Sequence, residues 1–486
     1  MGRTLTVIHA LGLMLVVFSA AYLMPLLAAL IDGQAEVLQD FLMAMVLTLT
    51  SGVLMWAVTY RYKGELSIRH GFLLVVVMWT GMPAFATLPL LMVLPELSFT
   101  DAYFETMSGI TTTGSTVLTG LDTLPPAINI WRHELNWLGG MGIIVLVVAI
   151  LPLLGIGGRQ LFKAETPGPM KDSALTPRIA ETARNLWIVY VSITVLCIAS
   201  LKLAGMSWLD AVCHSFSAMG LGGFSTHDAS VGYFNSPLIE FLLMIFMLIA
   251  VINFATHFVV LRSRSLAAYR SDPEALSSLG VILASCAGIA YFLWWEGVYP
   301  EFLTALRHAS FNLVSIATSS GFASVDYAQW PIFAPLWMML LTATVASAGS
   351  TGGGIKMIRT LVLIKQAGRE FVKLLHPAAV NPMKIGGQVI PNSVVFSVLG
   401  FIFLYFMVIA SLTFMLLISG LDFVSALTAV LASLNNCGPG LGVVGPAGNY
   451  QGLTDFQTWT CTLAMLIGRL EIFTVLILFT PQFWKR

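Results

Sequence analysis

Charged side chains are scarce in this chain. Only 10% of its 486 residues are Asp, Glu, Lys or Arg, whereas soluble domains carry roughly 25%. Hydrophobic residues make up 57% of the sequence, and the mean hydropathy is +0.86. Water-facing groups could not cover so much apolar surface, so the composition predicts an integral membrane protein.

Several further features are missing, and each absence excludes a class of function. The 24 basic and 24 acidic residues leave no net charge, which argues against a nucleic-acid partner because such a partner requires a basic surface. The five cysteines include no CxxC pair, so neither a disulfide framework nor a zinc site is indicated. Without an HExxH motif, a lipid-facing nucleophile motif or a cluster of His and Asp in the apolar runs, we expect no enzyme activity.

Ten apolar runs are long enough to cross a bilayer. They lie near residues 5–31, 38–60, 71–95, 129–156, 185–206, 236–261, 276–299, 332–364, 393–420 and 455–482. The first follows Arg3 and is longer than the 7–15 residues typical of a signal-peptide core, so we expect a retained transmembrane helix there.

Basic residues fall on one side of this map. All of the Lys and Arg except Arg132, Lys202, Arg307 and Arg469 lie in alternate loops or at the termini. The positive-inside rule makes that side cytoplasmic, with both termini in the cytosol. The opposite loops are acidic and would concentrate cations, although they could also be acidic simply because they lack basic residues.

Four segments of the outer loops align without a gap. They are residues 101–114, 210–223, 308–321 and 425–438, each with Ala second, Ser or Ala eighth and Gly last. Recurrence of a span, a short helix, a glycine loop and a span indicates an internal repeat. We therefore divide the chain into two extra N-terminal helices and four pore repeats. The boundaries are 1–69 for the extra helices and 70–178, 179–271, 272–385 and 386–486 for the repeats.

The repeated unit predicts a pore. Non-helical backbone at membrane depth is tolerated only where it is buried in protein or lines water, and a short re-entrant helix ending in a glycine loop meets that condition. Asp101 and Asp210 begin two of the short helices, as N-caps would. The loop carbonyls could then replace the hydration shell of a cation. The alternative is that these glycines are ordinary turn residues.

The loop sequences are TTTGS at 111–115, GLGGFST at 220–226, ATSSGFAS at 317–324 and NNCGPGLG at 435–442. With them the whole chain resembles the Trk/Ktr/HKT superfamily of potassium transporters, most closely the bacterial TrkH type. That resemblance implies an all-α membrane fold with two extra helices and four helix–loop–helix repeats around one pseudo-fourfold pore. It also implies potassium uptake across the bacterial inner membrane.

The resemblance implies that each repeat gives one glycine and the two preceding residues to a selectivity filter. Carried onto this sequence, the potassium-binding residues are Thr112, Thr113, Gly114, Leu221, Gly222, Gly223, Ser319, Ser320, Gly321, Asn436, Cys437 and Gly438. In the superfamily, glycine at the last position of all four segments accompanies potassium selectivity. Because the loops differ from one another, we expect looser discrimination than in tetrameric potassium channels.

The eighth apolar run is interrupted at 342–356, where small residues cluster near mid-membrane. Such a cluster predicts a discontinuous helix, or else close helix packing through small residues. The resemblance implies an intramembrane loop that closes the pore beneath the filter. Its gating residues would be Gly349, Ser350, Thr351, Gly352, Gly353, Gly354 and Lys356.

Arg469 lies in the middle of the last apolar run, and an intramembrane Arg indicates a functional site. Pairing with Glu471 within one helix is not expected, because residues two apart do not face each other. Arg469 would then either tie its span to a neighbouring helix or, as the resemblance implies, project into the pore as an electrostatic barrier.

The resemblance also implies partners: a second copy of the chain, membrane lipids and a TrkA-type cytosolic subunit that binds the regulatory nucleotide. We expect potassium as the only ion and no nucleotide bound by this chain. Basic loops at 159–184 and 262–270 are possible docking sites, unless they act only as topology signals. A sodium-permeable or cation-coupled symporter of the same fold is the alternative function.

Overall fold

A computed structural model describes residues 2–62, 68–142 and 179–485. Within these ranges the chain is nearly all helical, and its strands form one short antiparallel hairpin of β1 (Lys384–Ile385) and β2 (Gln388–Val389). The predicted all-α architecture is confirmed. The predicted span near 129–156 beyond residue 142, and the basic loop 159–184 up to residue 178, lie outside the described residues.

Among the described residues, six helices are long and apolar enough to cross a membrane, or eight if each of two bent pairs is one span. These correspond to eight of the ten predicted runs. The run near 129–156 leaves the described residues, and the run near 332–364 is interrupted by a long loop.

The N-terminal helices pack closely on each other and on the first repeat. Helix α1 (Gly2–Phe18) continues through a 3-10 turn into α2 (Leu23–Ile31), and α3 (Ala35–Val58) returns beside it. The backbones cross at two glycines: a Cβ on Gly12 would lie 2.8 Å from the Gly52 carbonyl oxygen. Small residues permit such close approach in membrane helices.

The remaining helices follow the four repeats in chain order. The first two repeats contain α4 (Ile68–Val93), α5 (Phe99–Ile110), α6 (Pro126–Trp137), α7 (Ile179–Leu203), α8 (Trp208–Gly220), α9 (Pro237–Ala250), α10 (Phe254–Ser263) and α11 (Ala267–Ser271). The last two contain α12 (Pro273–Trp295), α13 (Phe302–Ala317), α14 (Phe333–Thr344), α15 (Met357–Leu375), α16 (Asn392–Ile418), α17 (Phe423–Leu434), α18 (Asp455–Arg469), α19 (Glu471–Leu476) and α20 (Pro481–Trp484).

The N-caps of two short helices differ from the prediction. Ser98 and Ser207 cap α5 and α8, with side-chain oxygens that accept the backbone N–H groups of Asp101 and Asp210 at 3.1 and 3.0 Å. Each Asp is the third helical residue and accepts the serine hydroxyl at 2.7 Å. The assignment of Asp101 and Asp210 as N-caps was therefore wrong by three residues, although both carboxylates do lie at the favourable N-terminal end of the dipole.

Two spans that the hydropathy predicted to be continuous are broken. Helices α9 and α10 meet at 94°, and α18 meets the helix that follows it at 109°. In the third repeat α14 and α15 are separated by residues 345–356, hereafter the intramembrane loop. The sequence predicted only this last interruption.

Candidate functional site

The four short helices α5, α8, α13 and α17 end in the same hydrogen-bonded turn. In α5 the Thr112 N–H donates to the Gly109 carbonyl at 2.9 Å and the Thr113 N–H to the Ser108 carbonyl at 2.8 Å. The other three helices repeat both bonds. This is a Schellman motif. The carbonyl of the aligned eighth position accepts the bond that spans five residues. The residue at the turn has a positive φ in every case: Thr112, Leu221, Ser319 and Asn436.

The four loops that follow these turns close into a ring. Their last glycines all have positive φ, between +66° and +95°. An added Cβ on each glycine would run into the carbonyl oxygen just before the glycine of the next loop. These contacts are Gly114 on Gly222, Gly223 on Ser320, Gly321 on Cys437 and Gly438 on Thr113. Only glycine fits such a ring, and each predicted filter residue lies in it or directly before it.

One outer cavity is lined by all four glycines of this ring. Its lining contains few ionisable side chains: Arg132, His227 and Asp228. Backbone carbonyls are therefore the main candidates for contact with a cation, as in other filters built from carbonyl rings.

Buried hydroxyl and amide groups hold the ring from behind. The Thr111 and Thr113 hydroxyls lie 2.8 Å apart, and those of Thr318 and Ser320 lie 3.1 Å apart at the same position of the third loop. The Asn436 amide donates to the Thr113 hydroxyl at 3.0 Å. These bonds restrict the loop backbones, so the carbonyls keep their positions.

A buried ion pair that the sequence analysis missed lies beside the first loop. The Arg132 Nε lies 2.7 Å from Glu105 Oε1, and the two side chains are 1% and 0% exposed. Glu105 also accepts the Val117 N–H at 3.0 Å and the Thr116 hydroxyl at 2.9 Å. Arg132 had been counted with the outer loops. A carboxylate within a short apolar helix, with an Arg in the next helix, is the sequence signal that would have found the pair.

Two acidic residues of the outer loops, Asp122 and Asp228, join the first two repeats. Asp228 accepts the Gly120 and Leu121 N–H groups at 3.0 and 3.1 Å, and Asp122 accepts the Asp228 N–H at 3.2 Å and pairs with His227. Burial opposes ionisation of Asp122, but the hydrogen bonds from His227 and Asp228 outweigh it and lower the pKa of this carboxyl. These two acids therefore link the outer loops of the first two repeats.

The intramembrane loop lies against the inner side of the glycine loops. The Thr351 hydroxyl donates to the Met219 carbonyl of the second repeat at 3.0 Å, and the Gly353 N–H donates to the Ser319 hydroxyl of the third at 3.0 Å. A Cβ on Gly353 would overlap the Asn435 carbonyl of the fourth repeat. The predicted gating segment therefore touches three of the four glycine loops or the ends of the helices before them.

Other residues of the loop fix its shape. Gly349 has φ +78° and packs on the amide of Asn253. The Ser350 hydroxyl donates to the Ser347 carbonyl at 2.7 Å, and the Lys356 ammonium donates to the Gly352 carbonyl. The backbones of Gly352 and Gly354 are likewise in close contact with their surroundings. The gating residues predicted between 349 and 356 thus lie in one compact segment.

Arg469 joins this loop to the first repeat. Its guanidinium donates to the Thr112 hydroxyl at 3.0 Å, to the Thr351 carbonyl at 2.9 Å and to the Gly140 carbonyl at 2.9 Å, and also to the Gly139 carbonyl. Arg469 therefore lies between the first filter loop and the intramembrane loop.

Glu471, two residues on, points elsewhere. It has φ +57° and pairs with Arg359 of α15 at 2.6 Å. Because the helix is interrupted after Arg469, the side chains of Arg469 and Glu471 can reach different partners.

Comparison with known proteins gives one consistent relationship. The family TrkH, described as "Cation transport protein", matches residues 37–285 and 300–486. The Trk system potassium uptake protein TrkH of Salmonella typhimurium is 46% identical over 478 residues, 98% of each chain, and that of Halomonas elongata is 44% identical over 487 residues, 99% of each. The crystal structure of the potassium transporter TrkH from Vibrio parahaemolyticus is 42% identical and superposes with a TM-score of 0.90, over 99% of this chain and 100% of that one.

Proposed function

This chain belongs to the TrkH family of cation transport proteins, and on that premise we propose that it carries potassium into the cell through the glycine ring. The observation that carries the proposal is the closed cycle in which each of the four glycines abuts the backbone carbonyl before the next. Relatives at 44–46% identity over nearly the full chain are named potassium uptake proteins.

Potassium would be bound by backbone oxygens of the three-residue segments 112–114, 221–223, 319–321 and 436–438. Carbonyl rings select an ion by replacing its hydration shell. Support comes from the shared Schellman turns, which aim the four backbones alike, and from the hydroxyls and the amide that restrain them. Side chains differ among the loops, and this favours modest rather than strict selectivity.

The intramembrane loop and Arg469 would together close the ion pathway. The loop makes contacts beneath the ring with the second, third and fourth repeats, and Arg469 adds the first. A positive charge at this point would oppose a cation leaving the ring toward the cytosol. The loop would have to move for ions to pass.

The chain would lie in the bacterial inner membrane with both termini in the cytosol, since the basic loops then satisfy the positive-inside rule. It would act as a homodimer with one pore per subunit. A TrkA-type nucleotide-binding subunit would regulate it from the cytosolic side. Helices α10 and α11, which carry the basic residues of 262–270, would be one docking site.

Reconstitution into liposomes tests this function. Uptake of labelled Rb⁺ should be driven by a K⁺ gradient, compete with external K⁺ and exceed Na⁺ uptake, without needing a proton or sodium gradient. Equal uptake of Na⁺, or uptake only with a second ion gradient, would favour the sodium-permeable or coupled alternative. Absence of any cation flux in protein that remains folded would refute the proposal.

A further inference from the structure

The intramembrane loop has a narrow neck. The Ile355 N–H donates to the Ala343 carbonyl at 2.6 Å, and the Met357 N–H donates to the Ala346 carbonyl at 2.8 Å. The residues that follow α14 and the residues that precede α15 therefore run side by side. We call them the incoming and the outgoing limb of the loop. Any motion that withdraws the tip from beneath the ring must change this neck or the contacts that fix it.

A single carboxylate spans the neck. Glu274 Oε2 accepts the Ala348 N–H of the incoming limb at 2.9 Å and the Ile358 N–H just past the outgoing limb at 3.2 Å. One turn later on α12, the Ser278 hydroxyl donates to the Val345 carbonyl at 2.6 Å. The first two turns of α12 thus hold both limbs of the loop.

We propose that Glu274 is a positioning residue that latches the neck and so keeps the tip of the intramembrane loop beneath the glycine ring. The inference rests on the proposed gating role of that loop. Glu274 touches neither the ring nor the outer cavity among the contacts described, so its effect on flux would be exerted through the loop. A carboxyl oxygen has two lone pairs, so Oε2 can accept both N–H groups at once, which suits a latch made of two N–H donors.

The latch is connected to the cytosolic helices. Asp272 caps α12 and accepts the Thr256 hydroxyl of α10 at 2.8 Å. At the break before α10, the Val251 carbonyl accepts the Ser347 N–H at 3.1 Å and the Phe254 N–H donates to the Gly349 carbonyl at 3.3 Å. A displacement of α10 would therefore reach Glu274 and the incoming limb together. This is a path by which a protein bound at the cytosolic face could release the latch.

Three variants separate the latch from general structural effects. Glu274→Ala removes the acceptor. Glu274→Gln keeps one carbonyl oxygen, and since both N–H groups converge on the same oxygen, it should retain the latch. Glu296→Ala is the matched control, because it removes an exposed Glu from the other end of the same helix.

Two readouts are measured on each purified variant, with no cytosolic partner added. One is Rb⁺ uptake into liposomes. The other is the rate at which a water-soluble thiol reagent labels a cysteine placed at Ser350, which reports loop exposure whether or not ions flow. Loss of the two hydrogen bonds that Glu274 accepts is worth enough to raise both rates by about tenfold in Glu274→Ala. Glu274→Gln and the Glu296→Ala control should stay near wild type.

Wild-type rates of both uptake and labelling in Glu274→Ala would overturn the inference, as would a rise of equal size in Glu274→Gln. If Glu274→Ala does not fold, Ser278→Ala removes the neighbouring bond to Val345 and should raise both rates to a smaller extent; no change there would also overturn it. If the proposed function is wrong, wild type takes up no Rb⁺, but the labelling rates still decide whether Glu274 holds the loop.

Discussion

Replacing Arg469 by alanine is expected to raise potassium flux through the reconstituted protein. The guanidinium donates to the Thr112 hydroxyl at 3.0 Å, and Thr112 carries one of the carbonyls proposed to bind the ion. For an order-of-magnitude estimate we take about 8 Å as the separation between the guanidinium and an ion on that carbonyl. At an effective dielectric constant near 20, two unit charges at that separation repel by about 2 kcal/mol. Removing the charge should raise flux roughly 30-fold where this barrier limits it.

Arg469→Lys is the matched variant, since lysine keeps the charge but cannot make all of the same bonds. It should keep most of the barrier, whereas Arg469→Gln should behave like alanine. Alanine also leaves the Thr351 and Gly140 carbonyls without the Arg donor, and unpaired carbonyls would attract a cation further.

Rb⁺ uptake and single-pore conductance in a planar bilayer measure the effect, with size-exclusion profiles to check folding. Equal increases in the Lys and Ala variants would show that loosened packing, not charge, limits flux. An Ala variant that folds yet conducts no better than wild type would refute the barrier altogether, and Arg469 would then be a structural link between the first repeat and the intramembrane loop.

Three further outcomes are expected. Gly321→Ser should lower the K⁺/Na⁺ permeability ratio because its side chain would displace a neighbouring carbonyl, whereas Gly297→Ser, with open space around it, should not; equal ratios in all three proteins would contradict the ring. Glu105→Gln leaves Arg132 without its buried counter-charge, so the free energy of unfolding should fall by about 3–5 kcal/mol, seen as a lower thermal midpoint in detergent, and an unchanged midpoint would contradict the pair. A cysteine at Ser350 should react with thiol reagents from the cytosolic side and lose conduction, and labelling without loss would place the loop outside the ion path.

The repeat pattern was visible in the sequence because the ring is built from backbone. Each glycine lies against a carbonyl of the next loop with no room for a Cβ, so glycine recurs at the four aligned positions although the residues around it differ. The helix preceding each glycine must end in the same turn, and the aligned Ser or Ala supplies a carbonyl to it. These glycines and helix ends can therefore be predicted from the sequence without knowledge of the tertiary contacts.

The breaks in the second and fourth repeats could not be predicted in the same way. Residues 251–253 interrupt an apolar run without glycine or proline, and hydropathy alone reads them as helix. Asn253 supplies the cap that α10 needs, with its side chain accepting the Ala255 N–H at 2.8 Å. At Glu471 the positive φ is held by the distant pairing with Arg359. Asn253 is a local signal, but the backbone groups at the first break also bond to Ser347 and Gly349, and a single sequence gives no sign of partners so far along the chain.

Selectivity favours four equivalent loops around the ion, whereas closure of the pore requires one segment that differs from the others. Carbonyls around an ion work best when the four loops are alike, and here they share one geometry. A plug, by contrast, needs one segment long enough to reach the axis, and there is room for only one. Among the described residues, the loop 345–356 of the third repeat is the segment proposed for this role. The second and fourth repeats use their shorter breaks to hold it, through Asn253 on Gly349 and Arg469 on Thr351. On this reasoning, the departure from symmetry lies where gating requires it, one layer below the ring.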